Sequence, residues 1–146
     1  MQDPAILELR SRVKIARDEE FEEIRSHQVK ESELKSRLAR DRQIKITVIG
    51  RKSGDKISIP VWFVLEGDKL YLLPVKGSDT QWYRNVLKNP SIRIDARVAE
   101  AGFQAVPVTD AKAVKSVVEK FRGKYGAKDV KKYYSKFNVA ASVELV

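Results

Sequence analysis

Four short stretches of this sequence hold the residue types that bind anions and flat rings. They are Gly50-Arg51-Lys52-Ser53-Gly54, Pro60-Val61-Trp62-Phe63, Lys76-Gly77-Ser78 and Trp82-Tyr83-Arg84-Asn85, in that order. Glycines let a backbone approach an anion closely, adjacent Arg and Lys neutralise it, and a helix opening just after Gly77 presents N–H groups with no partner inside the helix. Together these residues describe a phosphate clamp beside an aromatic strand. Arg51-Lys52 alone would be an ordinary solvent-facing turn; its coincidence with Lys76-Gly77 turns it into half of a clamp. Trp62 and Phe63 are neighbours on a strand, so one side chain faces the core and the other is left to border a ligand. Tyr125, Tyr133 and Tyr134 read as surface aromatics beside Lys131 and Lys132, with a place in the pocket wall, as proton donors or substrate walls, as the alternative.

The rest of the composition narrows the chemistry. There is no Cys, which removes disulfides, thiolate catalysis and Cys-ligated metal centres, and the single His27 leaves no basis for a His-rich metal site or a Ser-His-Asp triad. The sequences G-x-G-x-x-G, G-x-x-x-x-G-K-[ST] and H-E-x-x-H are absent, so dinucleotide-fold, P-loop and zincin readings have no support. Any reaction must use a bound cofactor, or Lys, Arg, Tyr and carboxylates. Residues 1–43 carry equal numbers of acidic and basic side chains, so the whole net charge of +9 belongs to residues 44–146. A basic unit of this kind binds nucleic acid, an anionic surface or a polyanionic small molecule. The stretch Lys128 to Lys136 raises the nucleic-acid reading, which ranks third.

The elements that must position these residues follow from periodicity. A chain of 146 residues, 42% hydrophobic and 34% charged, is long enough for one well-buried core. No run approaches the roughly 18 apolar residues of a membrane span, and the opening MQDPAILELRSR lacks a secretory h-region, so the expected address is the cytoplasm. Residues 4–42 have a narrow helical stripe with i, i+4 ion pairs such as Glu31 with Lys35, and the acidic run Asp18 to Glu23 reads as a solvated helix face, with no metal site. These residues are expected to be an N-terminal helical extension (1–43) on a cofactor-binding domain (44–146). From Ile44 the period becomes two. Ile44 to Ile49, then Ile57 to Leu65, then Leu70 to Val75 predict three consecutive antiparallel strands with the middle one central. Pro60 and Pro74 mark bulges or points where a strand leaves one sheet for another. A short helix through Leu87, strands Ile92 to Val98 and Phe103 to Val108, a helix capped by Asp110, a helix from Lys128 to Phe137 and a last strand from Val139 complete an α+β fold. Five or six mostly antiparallel strands with flanking helices describe a small barrel or half-open barrel.

The four stretches in this order resemble the deazaflavin (F420)-dependent nitroreductase family, which are split β-barrel, FMN-binding-like oxidoreductases. The resemblance runs from about Ile46 to Val98, and its most specific part is Thr47-Val48-Ile49-Gly50-Arg51-Lys52-Ser53-Gly54, followed by Pro60, Lys76-Gly77 and Trp82-Tyr83-Arg84-Asn85. It implies that Lys76, Gly77 and Ser78 hold the cofactor phosphate, and that Arg51, Lys52 and Lys56, with Ser53 and Gly54 in the same turn, form the basic edge for the anionic tail of F420. It further implies that Pro60, Val61, Trp62 and Phe63 border the ring system and that Trp82 and Asn85 sit on the helix closing the site. Two stretches depart from the family pattern: Asp55-Lys56-Ile57-Ser58-Ile59 is less basic, and no His-Pro precedes Trp82-Tyr83. FMN therefore stands as the alternative cofactor, and a non-catalytic carrier on the same barrel as the alternative role. The expected function is an oxidoreductase that passes a hydride from reduced F420 to a small electron-poor acceptor, in a homodimer. The cofactor performs the hard chemistry, which suits a chain with no Cys and one His.

Overall fold

The alternation that begins at Ile44 produces strand β1 (Ile44–Ile49), with Ile44, Ile46 and Val48 buried and Lys45 exposed between them. The computed structural model describes Leu34, Leu38, residues 41–96 and residues 99–145. β1 is followed by β2 (Lys56–Val61), antiparallel to it with Ile46 opposite Ile59. The turn between them closes through Gly50 N–H to Asp55 O (2.7 Å) and Gly54 N–H to Gly50 O (2.9 Å), with Gly54 at φ +79°.

At Trp62 the chain leaves this pairing. β3 (Phe63–Glu66) turns at Gly67-Asp68 into β4 (Lys69–Leu72), and the two pair antiparallel. With β5 (Ser91–Ala96), β6 (Ala99–Val108) and β7 (Ala140–Glu144), the strands form one antiparallel sheet in the order β2-β1-β5-β6-β7-β4-β3. β6 makes the corner: residues 99–104 pair with β5 and residues 105–108 with β7, which curls the sheet into a half-barrel.

Two sequence expectations are corrected here. The stretch from Ile57 to Leu65 is two strands, so the described residues form seven strands where five or six were expected, and neither piece is central among them. β2 is one edge and β3 the other. Pro60 has no N–H to give to a second neighbour, so it is tolerated in an edge strand such as β2, and the hydrogen-bonding partner changes two residues later.

Helix α1 (Gln81–Lys88) follows a 3-10 turn (Gly77–Asp79); α2 (Ala111–Tyr125) and α3 (Ala127–Tyr133) lie between β6 and β7. Asp110 caps α2 by accepting Ala113 N–H at 3.0 Å, a contribution of about 1 kcal/mol, and Gly126 at φ +96° separates α2 from α3. The barrel core gathers Ile46, Val48, Phe63, Leu70, Leu72, Trp82, Ile94 and Val143, and it includes Leu34 and Leu38. A second cluster packs Val114, Val117, Val118, Phe121, Tyr125, Val130 and Tyr134 against Val64, Leu73 and Ala140. Most of the expected helix over residues 4–42, with its ion pairs and its acidic run, lies outside the described residues, as do Arg97 and Val98 of the predicted fourth strand. No described helix is long and apolar enough to cross a membrane.

Candidate functional site

The β1–β2 turn is fastened to α1 by one side chain pair. Asn85 is 4% exposed, and its Oδ1 accepts both the backbone N–H of Arg51 (3.1 Å) and the Arg51 guanidinium (2.8 Å). The other guanidinium nitrogen donates to Gln81 Oε1 at 2.8 Å. The forked geometry of Arg thus spans Gln81 and Asn85, one helical turn apart. Beside this latch lies a cavity of about 330 Å³ whose walls include Arg51, Lys52, Ser53, Trp82 and Asn85. None of the described residues lining it is acidic.

Trp82 is also a wall of a second cavity, of about 380 Å³, shared with Pro60, Val61, Trp62, Leu73, Val75, Tyr133 and Tyr134. Trp62 is held in place from behind: its ring stacks on Tyr125 with centroids 4.2 Å apart and planes 8° from parallel, and Tyr133 meets it edge-on at 5.6 Å. The Tyr125 hydroxyl lies 2.6 Å from Arg42 O and 2.8 Å from Phe63 O, either of which takes its proton, and it accepts Phe63 N–H at 3.1 Å. One tyrosine therefore pins the break between β2 and β3. Burial pushes the Tyr134 hydroxyl well above its ordinary value and also raises that of Tyr125, so both keep their protons at neutral pH. Gln43 and Asp129 supply the remaining polar groups of this cavity.

The Lys76-Gly77-Ser78 turn stands at the entrance to α1 and lines neither cavity. Gly77 is buried at φ +56°, where a side chain is strained, and a Cβ there would collide with Asn138 Oδ1 and come within 2.9 Å of Lys136 Cγ. Asn138 Oδ1 accepts Ser78 N–H at 3.0 Å and its Nδ2 donates to Ser78 Oγ at 2.9 Å. Lys76 N–H donates to Thr80 Oγ1 at 2.8 Å, leaving the Lys76 side chain exposed. Asp79, the one carboxylate in the turn, is flanked by Lys136 (3.2 Å) and Arg84 (3.0 Å). Lys136 first and Arg84 second hold it below the usual carboxylate range.

Most of the residues singled out by sequence are thus brought around α1. Arg51, Lys52, Ser53 and Asn85 meet at the first cavity, Pro60, Val61 and Trp62 at the second, and Trp82 divides them. Gly54 and Lys56 are exposed on the turn and the sheet edge beyond the first cavity. Phe63 stands apart: it is fully buried in the barrel core, under the Lys124 ammonium 3.6 Å from its ring, and lines neither cavity. Tyr125 and Tyr134 are buried, which corrects their reading as surface aromatics, whereas Tyr133 is 51% exposed at the cavity rim. Local sequence gives no sign of Asn138 or of the Gln81 latch, since their partners lie 60 and 30 residues away.

The first cavity, with Arg51 and Lys52 and no carboxylate among its described lining residues, suits an anionic ligand, and the indole and phenol walls of the second suit a flat ring. Among the described residues no group of three or more His, Asp or Glu side chains is placed to hold a metal.

Comparison with solved structures places the fold. An F420-H2 dependent reductase, FDR-A, superposes with a TM-score of 0.56 at 21% identity over 70% of this chain and 94% of that one. A structure described as a domain-swapped dimer gives a TM-score of 0.57 at 21% identity over 70% and 80% of the two chains. HutZ, the haem storage protein of Vibrio cholerae, gives 0.58 at 14% identity over 77% and 87%. No match is found among curated proteins. The family model for the F420H(2)-dependent quinone reductase matches residues 19–139, which take in both cavities, the Gly77 turn and Asn138, and the chain belongs to that family.

Proposed function

We propose that this F420-dependent reductase reduces a flat, electron-poor acceptor of quinone type, held in the aromatic cavity beside the cofactor. The observation that carries the reading is Trp82, a single indole that walls a cationic cavity on one side and an aromatic one on the other. When bound, reduced F420 supplies a hydride. The protein's own residues supply the remainder. Arg51 and Lys52 in the first cavity, with Lys76 at the neighbouring turn, neutralise the anionic tail. Trp62, Tyr133 and Tyr134 confine a planar acceptor and exclude water from it, and the stack on Tyr125 keeps Trp62 from turning away. Reduction of a quinone to its quinol also takes up a proton. Tyr133 and Tyr134 line the acceptor cavity; Tyr133, at its exposed rim, is the one that solvent can reprotonate, whereas burial disfavours the Tyr134 phenolate and makes that hydroxyl the weaker donor.

The same reading includes a homodimer. β2 is a sheet edge with Lys56, Ile57 and Ser58 exposed, next to the walls of the first cavity, so a second copy seated there would cover the edge and lengthen the groove.

The test combines binding with turnover. F420 fluorescence titration of the purified protein should saturate, and F420H2 should be reoxidised on addition of menadione faster than with no protein. Bound FMN in place of F420, or binding without acceptor-dependent reoxidation, would replace this reading with that of a flavin enzyme or a carrier.

A further inference from the structure

The Gly77 turn is held from within by Gly77 N–H to Pro74 O and Thr80 N–H to Gly77 O, 3.0 Å each, and by a second set of contacts from outside. It is zipped along its length to a segment nearly sixty residues later: Ser135 N–H donates to Val75 O at 2.9 Å, Lys76 bridges to Lys136 in parallel, Lys136 Nζ reaches Asp79 Oδ2 at 3.2 Å, and Asn138 makes its two bonds to Ser78. Of these contacts, the Asn138 carboxamide is the one that uses both its acceptor and its donor on a single residue of the turn. It also occupies the space where a side chain at residue 77 would sit, so the left-handed glycine and the amide define each other's position. The side chain sits on an exposed surface, which leaves burial no share in explaining it.

We propose that Asn138 is a positioning residue for the anion-binding turn: by fixing Ser78 and excluding a side chain at Gly77, it sets the direction in which Lys76 and the turn's backbone meet the phosphate of F420. This rests on the reading of Lys76-Gly77-Ser78 as the phosphate turn. The physical reason is preorganisation. A turn already held in the binding geometry loses little freedom when the anion arrives, whereas an unheld one must be ordered at the expense of affinity.

The test is a double-mutant cycle on F420 affinity, with thermal stability read in parallel. Lys76→Ala, Asn138→Ala and the double variant are titrated with F420 by fluorescence. Lys76→Ala should weaken binding by about tenfold or more, the effect of removing a charge paired with phosphate. Asn138→Ala should weaken it by about three- to tenfold, and the double variant should be no weaker than about twice the worse single one, since a Lys76 that is no longer aimed contributes little to lose. kcat at saturating F420 should stay within about twofold in Asn138→Ala, because the loss is in binding. Asn138→Gln, whose longer side chain keeps both hydrogen-bonding functions but displaces the turn, should give the same direction of change and serves if the alanine variant does not fold. Wild-type affinity in both Asn138 variants, beside a weakened Lys76→Ala, overturns the proposal and leaves the phosphate turn standing. Multiplicative losses in the double variant, tracking a fall in Tm, reduce Asn138 to a merely structural contact and also overturn it. Unchanged affinity in Lys76→Ala removes the phosphate turn itself, and the proposal with it.

Discussion

Asn85 Oδ1 accepts two hydrogen bonds from one residue, Arg51, at 3.1 Å from its backbone and 2.8 Å from its guanidinium. A buried amide on α1 thereby fixes both the path of the β1–β2 turn and the direction of its cation.

Removing that acceptor separates the two roles. Asn85→Ala leaves two Arg51 donors without their buried partner, which costs about 1–3 kcal/mol of stability, and F420 affinity should fall with it. Asn85→Asp keeps an acceptor for both donors, so stability measured by urea unfolding should remain near wild type, but it puts a carboxylate into a cavity with none among its described lining residues, and F420 should bind more weakly. Retained affinity in Asn85→Asp would show that the first cavity does not receive the anionic cofactor.

Trp62 and Lys76 should fail in different ways. Trp62→Ala removes the wall of the aromatic cavity, so menadione KM should rise by about tenfold while F420 affinity changes little. Lys76→Ala should do the reverse. Titration of each variant with cofactor and steady-state kinetics in acceptor distinguish the two, and coincident effects would mean that the cavities are not functionally separate.

Lys124 should make a contribution to stability that rises with pH between about 8 and 10.5. Burial first, and the nearby Arg42 second, pull its ammonium down to about 8 from 10.5, despite its bond to Phe63 O at 2.8 Å. A folded-state value below the unfolded one means that the unfolded chain binds more protons, so the penalty is fully present below about pH 8 and is relieved as the pH approaches 10.5. Solvent access to the side chain makes the effect smaller than the shift alone implies. Denaturant unfolding of wild type and Lys124→Met at neutral and alkaline pH should show any advantage of the variant shrinking as the pH rises. A constant difference would remove the linkage.

Leu34 and Leu38 are each 1% exposed and belong to the barrel core, although they precede the first strand. We expect Leu34→Ala and Leu38→Ala each to cost about 2–5 kcal/mol, the range for a buried leucine. A chain beginning at residue 41 should be markedly less stable than one beginning at residue 31, by thermal unfolding followed in circular dichroism. Equal stability of the two truncations would support residue 43 as the boundary.

Much of the architecture was legible in the sequence because it is local. The alternation of Ile44, Ile46 and Val48, the Asp110 cap and the glycines at 50 and 54 each act within a few residues, and the structure has β1, α2 and the hairpin turn where those signals lie. The break at Trp62 was not legible in the apolar pattern, which runs on unbroken from Ile57 to Leu65; periodicity reports which face is buried, not which strand supplies the hydrogen bonds. Tyr125 and Tyr134 sit among lysines and look external, and it is packing against Phe121 and against Trp62, Val64 and Leu73 from distant parts of the chain that buries them. The order of the four motifs brought Arg51 and Asn85 into one site, yet nothing local announced that they bond to each other, or that Asn138 would close the Gly77 turn.

The placement of β7 has a consequence for how the chain is made. As the last strand in chain order it lies between β6 and β4, with Leu70 opposite Val143 on one side and Ala105 opposite Val143 on the other. Until residues 140–144 leave the ribosome, the β2-β1-β5-β6 ladder and the β4-β3 hairpin have no strand to join them, and each shows an unpaired edge to its surroundings. Closure must therefore await the emergence of residues 140–144, and until then the inner edges of β6 and β4 stand open to non-native pairing.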